Sequence, residues 1–257
     1  MDIEIQGLHL NYEESVKDSA MTALIIHGWG ANFPAVKPIF QLLKHHMHVV
    51  ALELPGHGQS EEPSTVFGTK EFADVVEAFI QKKNLTNVLY IGHSFGGKIG
   101  ILLGQKKDLI DAMVLMDASG IREPLSKEAQ RRIKRFKRRK KWMDFFLGEK
   151  GLEKIYRKYG SSDYSAAKGI MRSILVKVVN EDFSSHLSHI DMPVQLIWGD
   201  KDTDTPLWMG EKMHHEIPHS NLAVLEGGHY VYLDNFVEFK KVLLAFIEEV
   251  NNGFYTI

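Results

Sequence analysis

The sequence predicts an α/β protein with a mostly parallel sheet, helices on both faces and a helical segment inserted between two strands. Short, wholly apolar runs at residues 23–26 and 112–116 are typical of strands buried on both faces of a parallel sheet. Longer stretches with helical spacing of apolar residues lie between such runs. Strands that alternate with helices indicate a parallel sheet covered on both faces.

The individual elements follow from the same patterns. Alternating apolar residues from Ile3 to Leu10, with Gly7 between them, predict an N-terminal hairpin. Apolar runs predict strands at residues 23–26, 49–52, 88–91, 112–116, 194–198 and 222–225. Helices are expected at residues 35–46, 69–83, 207–215 and 235–250 and directly after Ser94. Thr69 is the expected N-cap of the helix at 69–83.

The alternation stops between residues 121 and 190, where the chain is strongly charged and its pattern is helical. The first strand-like apolar run in this stretch is at residues 176–179. We therefore expect a core made of residues 1–120 and 191–257, with residues 121–190 inserted between two of its strands.

Composition excludes several classes of protein. The 257 residues are 44% hydrophobic and 25% charged, which is ordinary for a globular domain with its own core. Cysteine is absent, which excludes disulfides, thiolate nucleophiles and cysteine metal sites. The acidic, alternating N-terminus does not resemble a signal peptide, and no apolar run approaches the ~20 residues that span a bilayer. We expect a cytoplasmic protein.

Positive charge is concentrated in the basic run, residues Arg131 to Lys141, which holds nine Lys or Arg and no acid. Since the net charge is −2, the rest of the chain carries −11. Three interpretations remain open: the solvated face of a helix, a surface that contacts anionic substrates or anionic membranes, and a nucleic-acid site. The acidic remainder of the chain argues against nucleic acid, so no nucleic-acid partner is expected.

The sequence Gly92-His93-Ser94-Phe95-Gly96 directly follows an apolar, strand-like run and precedes a helical pattern. In that context Gly-x-Ser-x-Gly is typical of a nucleophile elbow, a sharp turn that exposes the serine hydroxyl. Glycines at both flanking positions allow the strand and the helix to approach each other closely. Ser94 is therefore the candidate nucleophile.

A serine hydroxyl needs a base within hydrogen-bond reach, and the base needs an acid that orients it. His229 follows the last predicted strand and two glycines, so its loop can bring an imidazole over the sheet edge. The acid is one of Asp200, Asp202 and Asp204, which all follow the strand at 194–198. Residue chemistry alone leaves this choice open.

The negative charge that develops on an attacked carbonyl oxygen needs two N–H donors. One is expected to be the backbone N–H of Phe95, directly after the nucleophile, and the other that of Trp29, in the loop after the strand at 23–26. Trp29, Phe95 and Tyr230 are also the expected contacts for substrate.

The order Ser94, Asp, His229 on such a sheet resembles the α/β-hydrolase family. His27-Gly28-Trp29-Gly30 is similar to the family's oxyanion-loop motif, and residues 53–60 are similar to its second βα-loop motif, although Glu53 stands where Asp is more common. Gly199-x-x-Asp202 is similar to the family's Gly-x-x-Asp, which selects Asp202 as the acid. The resemblance implies an eight-stranded, mostly parallel sheet and a helical cap formed by residues 121–190.

The resemblance implies a serine hydrolase that cleaves carboxylic esters of small or medium acyl groups through an acyl-enzyme, without a cofactor. A C–C bond hydrolase or a lactonase would use the same triad, and a ligand sensor with slow turnover is the alternative from another class. Asp200, Asp202, Asp204 and Glu211 imitate the spacing of a calcium loop, but Thr205 stands where glycine is needed, so no metal site is expected.

Overall fold

The computed structural model describes residues 1–106, 108–122 and 162–253, together with positions 131, 134, 135 and 138. The strands are β1 (Asp2–Ile5), β2 (Leu8–Ser15), β3 (Thr22–Ile26), β4 (His48–Leu52), β5 (Val88–His93), β6 (Ala112–Met116), β7 (Val194–Gly199) and β8 (Ser220–Leu225). The helices are α1 (Phe33–Leu43), α2 (Thr69–Lys82), α3 (Phe95–Leu103), α4 (Ser162–Ala166), α5 (Gly169–Val178), α6 (Trp208–Glu216), α7 (Val231–Asp234) and α8 (Phe236–Asn251), and a 3₁₀ helix covers Ser184–His189.

The strands form one eight-stranded sheet in the order β1-β2-β4-β3-β5-β6-β7-β8. Strand β1 pairs antiparallel with β2, as does β2 with β4, and every later pair is parallel. This confirms the predicted fold class, including the N-terminal hairpin. Because the parallel strands all end at the same edge, the loops after β3, β5, β6, β7 and β8 meet there.

Two hydrophobic cores lie on the two faces of the sheet. In β3, Leu24 and Ile26 belong to the core that contains residues of α2 and α3. Ala23 and Ile25 belong to the core that contains residues of α1 and α8. Successive side chains of a strand point to opposite faces, so a continuous apolar run fills both cores.

Most predicted elements differ from the observed bounds by up to three residues, and two local predictions were wrong. Helix α2 begins at Thr69, but its N-cap is Gly68, so the prediction that Thr69 caps the helix was wrong. The Thr69 hydroxyl instead donates a hydrogen bond to the carboxylate of Glu181, at 2.6 Å. The apolar run at residues 176–179 is not a strand, because residues up to Val178 form the end of α5.

Within the inserted stretch, the residues that the structure describes include α4, α5 and the 3₁₀ helix, which lie between β6 and β7 in the chain. The described members of the basic run, Arg131, Lys134, Arg135 and Arg138, are helical and exposed. The remainder of that run lies outside the described residues. Across the part of the chain that is described, no helix combines the length and apolar character needed to cross a bilayer.

Candidate active site

Ser94 lies at the turn between β5 and α3, with φ 50° and ψ −108°. A positive φ is strained for a residue with a side chain, and this strain is typical of a nucleophile elbow. The turn is held by backbone hydrogen bonds from Ser94 N to Met116 O and from Ser119 N to Ser94 O, both at 3.0 Å. The neighbouring strand β6 and the residues after it therefore fix the serine.

The two glycines of the elbow are required by close backbone approach. A Cβ on Gly92 would lie 2.7 Å from the carbonyl oxygen of Gly96. A Cβ on Gly96 would overlap the carbonyl oxygen of Ile26, at the end of β3. The sequence predicts that glycine at these positions lets a strand and a helix approach closely. The structure shows this close approach at both glycines.

Ser94, His229 and Asp202 are joined in one hydrogen-bonded series. The Ser94 hydroxyl oxygen lies 3.0 Å from Nε2 of His229. Nδ1 of His229 lies 2.8 Å from Oδ2 of Asp202, whose side chain is completely buried. A neutral imidazole that donates from Nδ1 to the carboxylate keeps Nε2 free to accept the serine proton.

The three aspartates after β7 occupy different environments. Asp200 is exposed and accepts a hydrogen bond from the N–H of Gly227 at 3.0 Å. Asp204 is also exposed, and only Asp202 of the three is buried. The structure thus brings Asp202, the acid that the resemblance selects, to the imidazole of His229.

The carboxylate of Asp202 is saturated with hydrogen bonds. Its Oδ1 accepts from the N–H groups of Asp204 and Thr205, at 2.8 and 3.0 Å. Its Oδ2 lies 2.7 Å from the Thr205 hydroxyl as well as 2.8 Å from His229. Asp202, Asp204 and His229 are close enough together to suggest a metal site. With its oxygens already engaged, Asp202 is better suited to orienting the imidazole than to coordinating a cation.

The carboxylate of Asp202 and the protonated imidazole of His229 stabilise each other. Burial alone would raise the pKa of Asp202, but hydrogen bonds from His229 and Thr205 outweigh it and hold the pKa below its usual value. Burial alone would lower the pKa of His229, but its hydrogen bond to Asp202 and the charge of that carboxylate raise the pKa overall. The site therefore stabilises an imidazolium.

The loop after β3 lies directly against Ser94. A Cβ on Gly28 would lie 3.2 Å from the Cβ of Ser94. The rings of Trp29 and Phe95 are in edge contact, with centroids 5.6 Å apart. Among the described residues, neither the N–H of Trp29 nor that of Phe95 has a hydrogen-bond acceptor. Two N–H donors without acceptors, one directly after Ser94 in the chain and one in the loop that lies against Ser94, are suited to receiving an oxyanion.

His27 fixes the conformation of this loop. Its Nδ1 donates to the carbonyl of Gly28 at 2.7 Å, and its Nε2 accepts from the N–H of Leu54 at 3.1 Å. Burial lowers the pKa of His27 to about 3, so the ring is neutral near neutral pH and can accept at one nitrogen while donating from the other. The two loops that follow β3 and β4 are thereby connected.

Glu53, the departure from the family's usual Asp, has a structural role. Its buried carboxylate accepts hydrogen bonds from the N–H groups of Phe33 and Gln59, at 2.9 and 2.7 Å. It also accepts one from the side chain of Asn11 at 3.0 Å. It thus connects the start of α1, the loop after β4 and strand β2.

The expected substrate contacts lie on two sides of the site. Trp29 and Phe95 belong to an aromatic group whose rings are in edge contact, together with Phe72. Tyr230 is 39% exposed and packs over His93 and His229, with centroids 4.9 and 5.5 Å away. One wall is therefore apolar and aromatic, and the other carries a phenol beside the base.

Two neighbours of the site were not identified from the sequence. Nε2 of His93 donates to the carbonyl of His229 at 2.7 Å, and Asp117 lies buried among the loops that carry Asp202 and His229. His93 is the first of the two variable residues of Gly-x-Ser-x-Gly, and Asp117 follows β6 directly. An acid placed directly after a parallel strand is the one signal that could have indicated Asp117.

Comparison with known proteins identifies the family of the chain. The family model described as alpha/beta hydrolase fold matches residues 24–161, more than half of the chain. The chain belongs to the alpha/beta hydrolase fold family. This α/β-hydrolase is 26% identical over 246 residues to the uncharacterized hydrolase YugF of Bacillus subtilis (strain 168). The aligned region covers 88% of this chain and 90% of YugF.

Other relatives of this α/β-hydrolase carry more specific names. It is 26% identical over 269 residues to a pimeloyl-[acyl-carrier protein] methyl ester esterase of Neisseria meningitidis serogroup C, covering 92% of this chain and 97% of that protein. A bacterial membrane phospholipase A has a similar fold, with a TM-score of 0.78 at 22% identity over 98% of this chain and 86% of that one. The chain is thus a hydrolase of this family.

Proposed function

We propose that the protein is a serine esterase that cleaves carboxylic esters of small or medium acyl groups, with Ser94 as nucleophile, His229 as base and Asp202 as orienting acid. The observation that carries the proposal is the continuous hydrogen-bonded series from the Ser94 hydroxyl through His229 to Asp202. The similarity to a methyl ester esterase supports the choice of ester over other acyl compounds.

In the first half of the reaction, Nε2 of His229 takes the proton of Ser94 as the serine oxygen attacks the acyl carbonyl carbon. The N–H groups of Trp29 and Phe95 stabilise the oxyanion, each contributing on the order of 10²–10³ in rate. His229 then gives its proton to the departing alcohol oxygen, and an ester of Ser94 remains.

In the second half, a water molecule replaces the alcohol. His229 takes a proton from this water, whose oxygen attacks the acyl carbon, and the second tetrahedral intermediate uses the same two N–H donors. The proton then returns to the Ser94 oxygen, which releases the carboxylic acid. Atoms and charges balance without a metal or an organic cofactor.

The inserted stretch is proposed to act as a cap that limits the size of the substrate. Support comes from Met171 of α5, whose side chain packs against Gly56 in the loop after β4. The ring of His57, in the same loop, contacts Trp29 with centroids 4.9 Å apart. Part of residues 121–190 is therefore adjacent to the aromatic wall of the site.

The test is hydrolysis of p-nitrophenyl acetate, butyrate and longer esters by the purified protein and by Ser94→Ala. Ser94→Ala should lose at least roughly 10⁴-fold in kcat with an unchanged circular-dichroism spectrum, since residual rate comes only from binding and the oxyanion donors. Ser185→Ala, which alters an exposed serine of the 3₁₀ helix, is the matched control and should keep full activity.

Several outcomes would contradict the proposal. Failure of a fluorophosphonate probe to label Ser94 in folded protein would exclude it as the nucleophile. Faster turnover of a lactone or of a vinylogous diketone than of any ester would favour lactonase or C–C bond hydrolase activity on the same residues. Labelling at Ser94 with turnover slower than about one per minute on every substrate class would favour a ligand sensor.

The basic run is proposed to contact an anionic membrane surface. Arg131, Lys134, Arg135 and Arg138 are spaced so that they share one helix face, and each is exposed. Aromatic residues that suit a membrane interface follow the run at positions 142, 145 and 146. Co-sedimentation with phosphatidylglycerol vesicles should fall when Arg135 and Arg138 are changed to Glu, whereas phosphatidylcholine vesicles should bind neither form.

Two results would count against membrane contact. Unchanged sedimentation of the double variant would show that the basic run does not bind lipid. If sedimentation is negligible for both forms but the variant loses kcat/KM only on anionic esters, the run would steer anionic substrates instead.

A further inference from the structure

Asp117 is a buried carboxylate, 0% exposed, at the point where β6 ends. Its Oδ1 accepts a hydrogen bond from the N–H of Gly199 at 2.8 Å, and its Oδ2 accepts one from the N–H of Val231 at 3.2 Å. Gly199 ends β7 and begins the loop that carries Asp202, and Val231 lies two residues after His229. One side chain thus connects the loop of the acid with the loop of the base.

The backbone of Asp117 reinforces this connection. Its N–H donates to the carbonyl of Ile197 at 3.0 Å, and its carbonyl lies 2.9 Å from the hydroxyl of Thr205. The same hydroxyl lies 2.7 Å from Oδ2 of Asp202. Asp117 therefore contacts the surroundings of the acid both directly and through Thr205.

A carboxylate at this position is unfavourable for the fold. Burial raises the pKa of Asp117 to about 7, and the negative charge of Asp202 acts in the same direction, against the hydrogen bonds from Gly199 and Val231. An asparagine or a small apolar residue would avoid a second buried charge beside the first. A carboxylate at this position therefore points to a use for its charge or for its two acceptor oxygens.

We propose that Asp117 is a positioning residue for His229, which fixes the spacing between the base loop and the acid loop and adds a second negative charge that stabilises the imidazolium. The inference rests on the proposed function, since it assigns no separate reaction to the site. Asp117 does not contact the reacting atoms; it acts through the backbone N–H of Val231 and through its charge.

Asp117 and His229 have further titratable neighbours, whose charges also affect the pH dependence of the site. The charge of Asp117 and that of Asp204 each raise the pKa of His229, after the stronger contribution of Asp202. The other titratable side chains that face Asp117 or His229 in the described structure are His93, Tyr230 and Tyr232. Burial lowers the pKa of His93 to about 3 and raises the pKa of Tyr232 well above its usual value, so both side chains stay neutral in the pH range where His229 titrates.

The test variant is Asp117→Asn, which keeps the shape and one acceptor oxygen but removes the charge and directs an NH₂ group at one of the two N–H donors. We expect kcat to fall by about 10- to 100-fold with KM changed by less than about threefold. A misplaced His229 would weaken stabilisation of the transition state and leave substrate binding nearly unchanged. Because less negative charge faces the imidazolium, the acid limb of kcat/KM should also move to lower pH.

Asp111→Asn is the matched control. The carboxylate of Asp111 also accepts a backbone N–H, that of Val88 at 2.8 Å, but at the opposite end of β5 and β6. This change should lower the melting temperature without moving the pH profile. If Asp117→Asn behaves in the same way, or keeps wild-type kcat and the wild-type acid limb, Asp117 has only a structural role and the inference is wrong.

A second measurement uses the unaltered protein, in case Asp117→Asn does not fold. Carboxyl ¹³C and imidazole ¹⁵N resonances should show Asp117 and His229 titrating with mutual influence, each curve deviating from a single step. Independent single-step curves would overturn the inference. If Ser94→Ala keeps full turnover, the proposed function fails, and the resonance titration still decides whether the two groups are coupled.

Discussion

The ammonium of Lys98 donates a hydrogen bond to the backbone carbonyl of Glu181 at 2.8 Å, and it also donates to the carbonyl of Val178 at the end of α5. The carboxylate of Glu181 in turn accepts from the N–H and the hydroxyl of Thr69, at the start of α2. Lys98 lies one turn after Ser94, and its own N–H donates to Ser94 O. The end of the inserted stretch is thus joined to the helix that follows Ser94.

Replacing Lys98 with Met should destabilise the protein by about 1–3 kcal/mol, because the buried carbonyl of Val178 and the partly buried carbonyl of Glu181 lose their donor while the side-chain length is kept. Lys98 is only 4% exposed, so water cannot readily replace the ammonium. Denaturant unfolding measures the change. Lys106→Met is the control; its ion pair with Glu77 is partly exposed and should contribute about 0–1 kcal/mol. Equal effects of the two substitutions would contradict a special role for Lys98.

Replacing Gly96 with Ala should prevent the elbow from forming. The new methyl group would meet the carbonyl oxygens of Ile26 and His27, and backbone atoms in the centre of a sheet cannot move aside cheaply. We expect a loss of roughly 3 kcal/mol or more, visible as a lower melting temperature or as insoluble protein. Gly104→Ala, where the nearest atom is the flexible Cε of Met113 at 3.1 Å, is the control. A stable, active Gly96→Ala protein would contradict this account of the elbow.

The sequence was sufficient for the core strands, for the longer core helices and for the order of the sheet-edge loops, because apolar runs and helical spacing are local signals; the short helices Ser184–His189 and Val231–Asp234 were not predicted. The strands 112–116 and 194–199 differ from their predicted bounds by at most one residue. The cap of α2 was predicted wrongly, because Thr69 has a distant partner: its hydroxyl binds Glu181, 112 residues later in the chain. Nothing near Thr69 in the sequence indicates that partner.

The same limit applies to the candidate site. Ser94 and His229 are marked by their own neighbours in sequence, whereas choosing Asp202 over Asp200 and Asp204 required a resemblance. The structure gives the physical distinction, since only Asp202 is buried against the imidazole. Asp117 was not predicted as a site residue because its partners, Gly199 and Val231, are 82 and 114 residues away.

The pH dependence of ester hydrolysis should report the environment of His229. The base must be neutral to accept the serine proton, so kcat/KM should fall as the pH falls through its pKa. Because the Asp202 hydrogen bond and charge raise that pKa above 6.5, the acid limb should have its midpoint above this value. A midpoint well below 6.5 would contradict the close hydrogen bond between His229 and Asp202.

Replacing Asp202 with Asn should reduce kcat by roughly 10⁴-fold, because an amide no longer holds the imidazole in the tautomer that leaves Nε2 free. Asp204→Asn is the matched control: its carboxylate is exposed, and activity should change by less than about twofold. Steady-state hydrolysis of p-nitrophenyl butyrate measures both. A larger loss in Asp204→Asn than in Asp202→Asn would identify Asp204 as the acid.

Replacing His27 with Phe should weaken the oxyanion site without altering the triad. The variant keeps a ring of similar size but removes both the donor to Gly28 O and the acceptor for Leu54 N, so the loop that presents the Trp29 N–H is no longer fixed. We expect kcat to fall by about 10- to 100-fold, with little change in KM. This loss is smaller than the roughly 10³-fold loss that removing one oxyanion donor can cause, because the Trp29 N–H is still present. The acid limb should not move, because burial lowers the pKa of His27 to about 3 and the ring is neutral wherever the enzyme is active.

His48→Phe is the control for this prediction. His48 is a partly buried histidine of β4 that pairs with Glu14, and its replacement should leave kcat unchanged. An equal loss of kcat in both variants would show that the effect comes from general destabilisation.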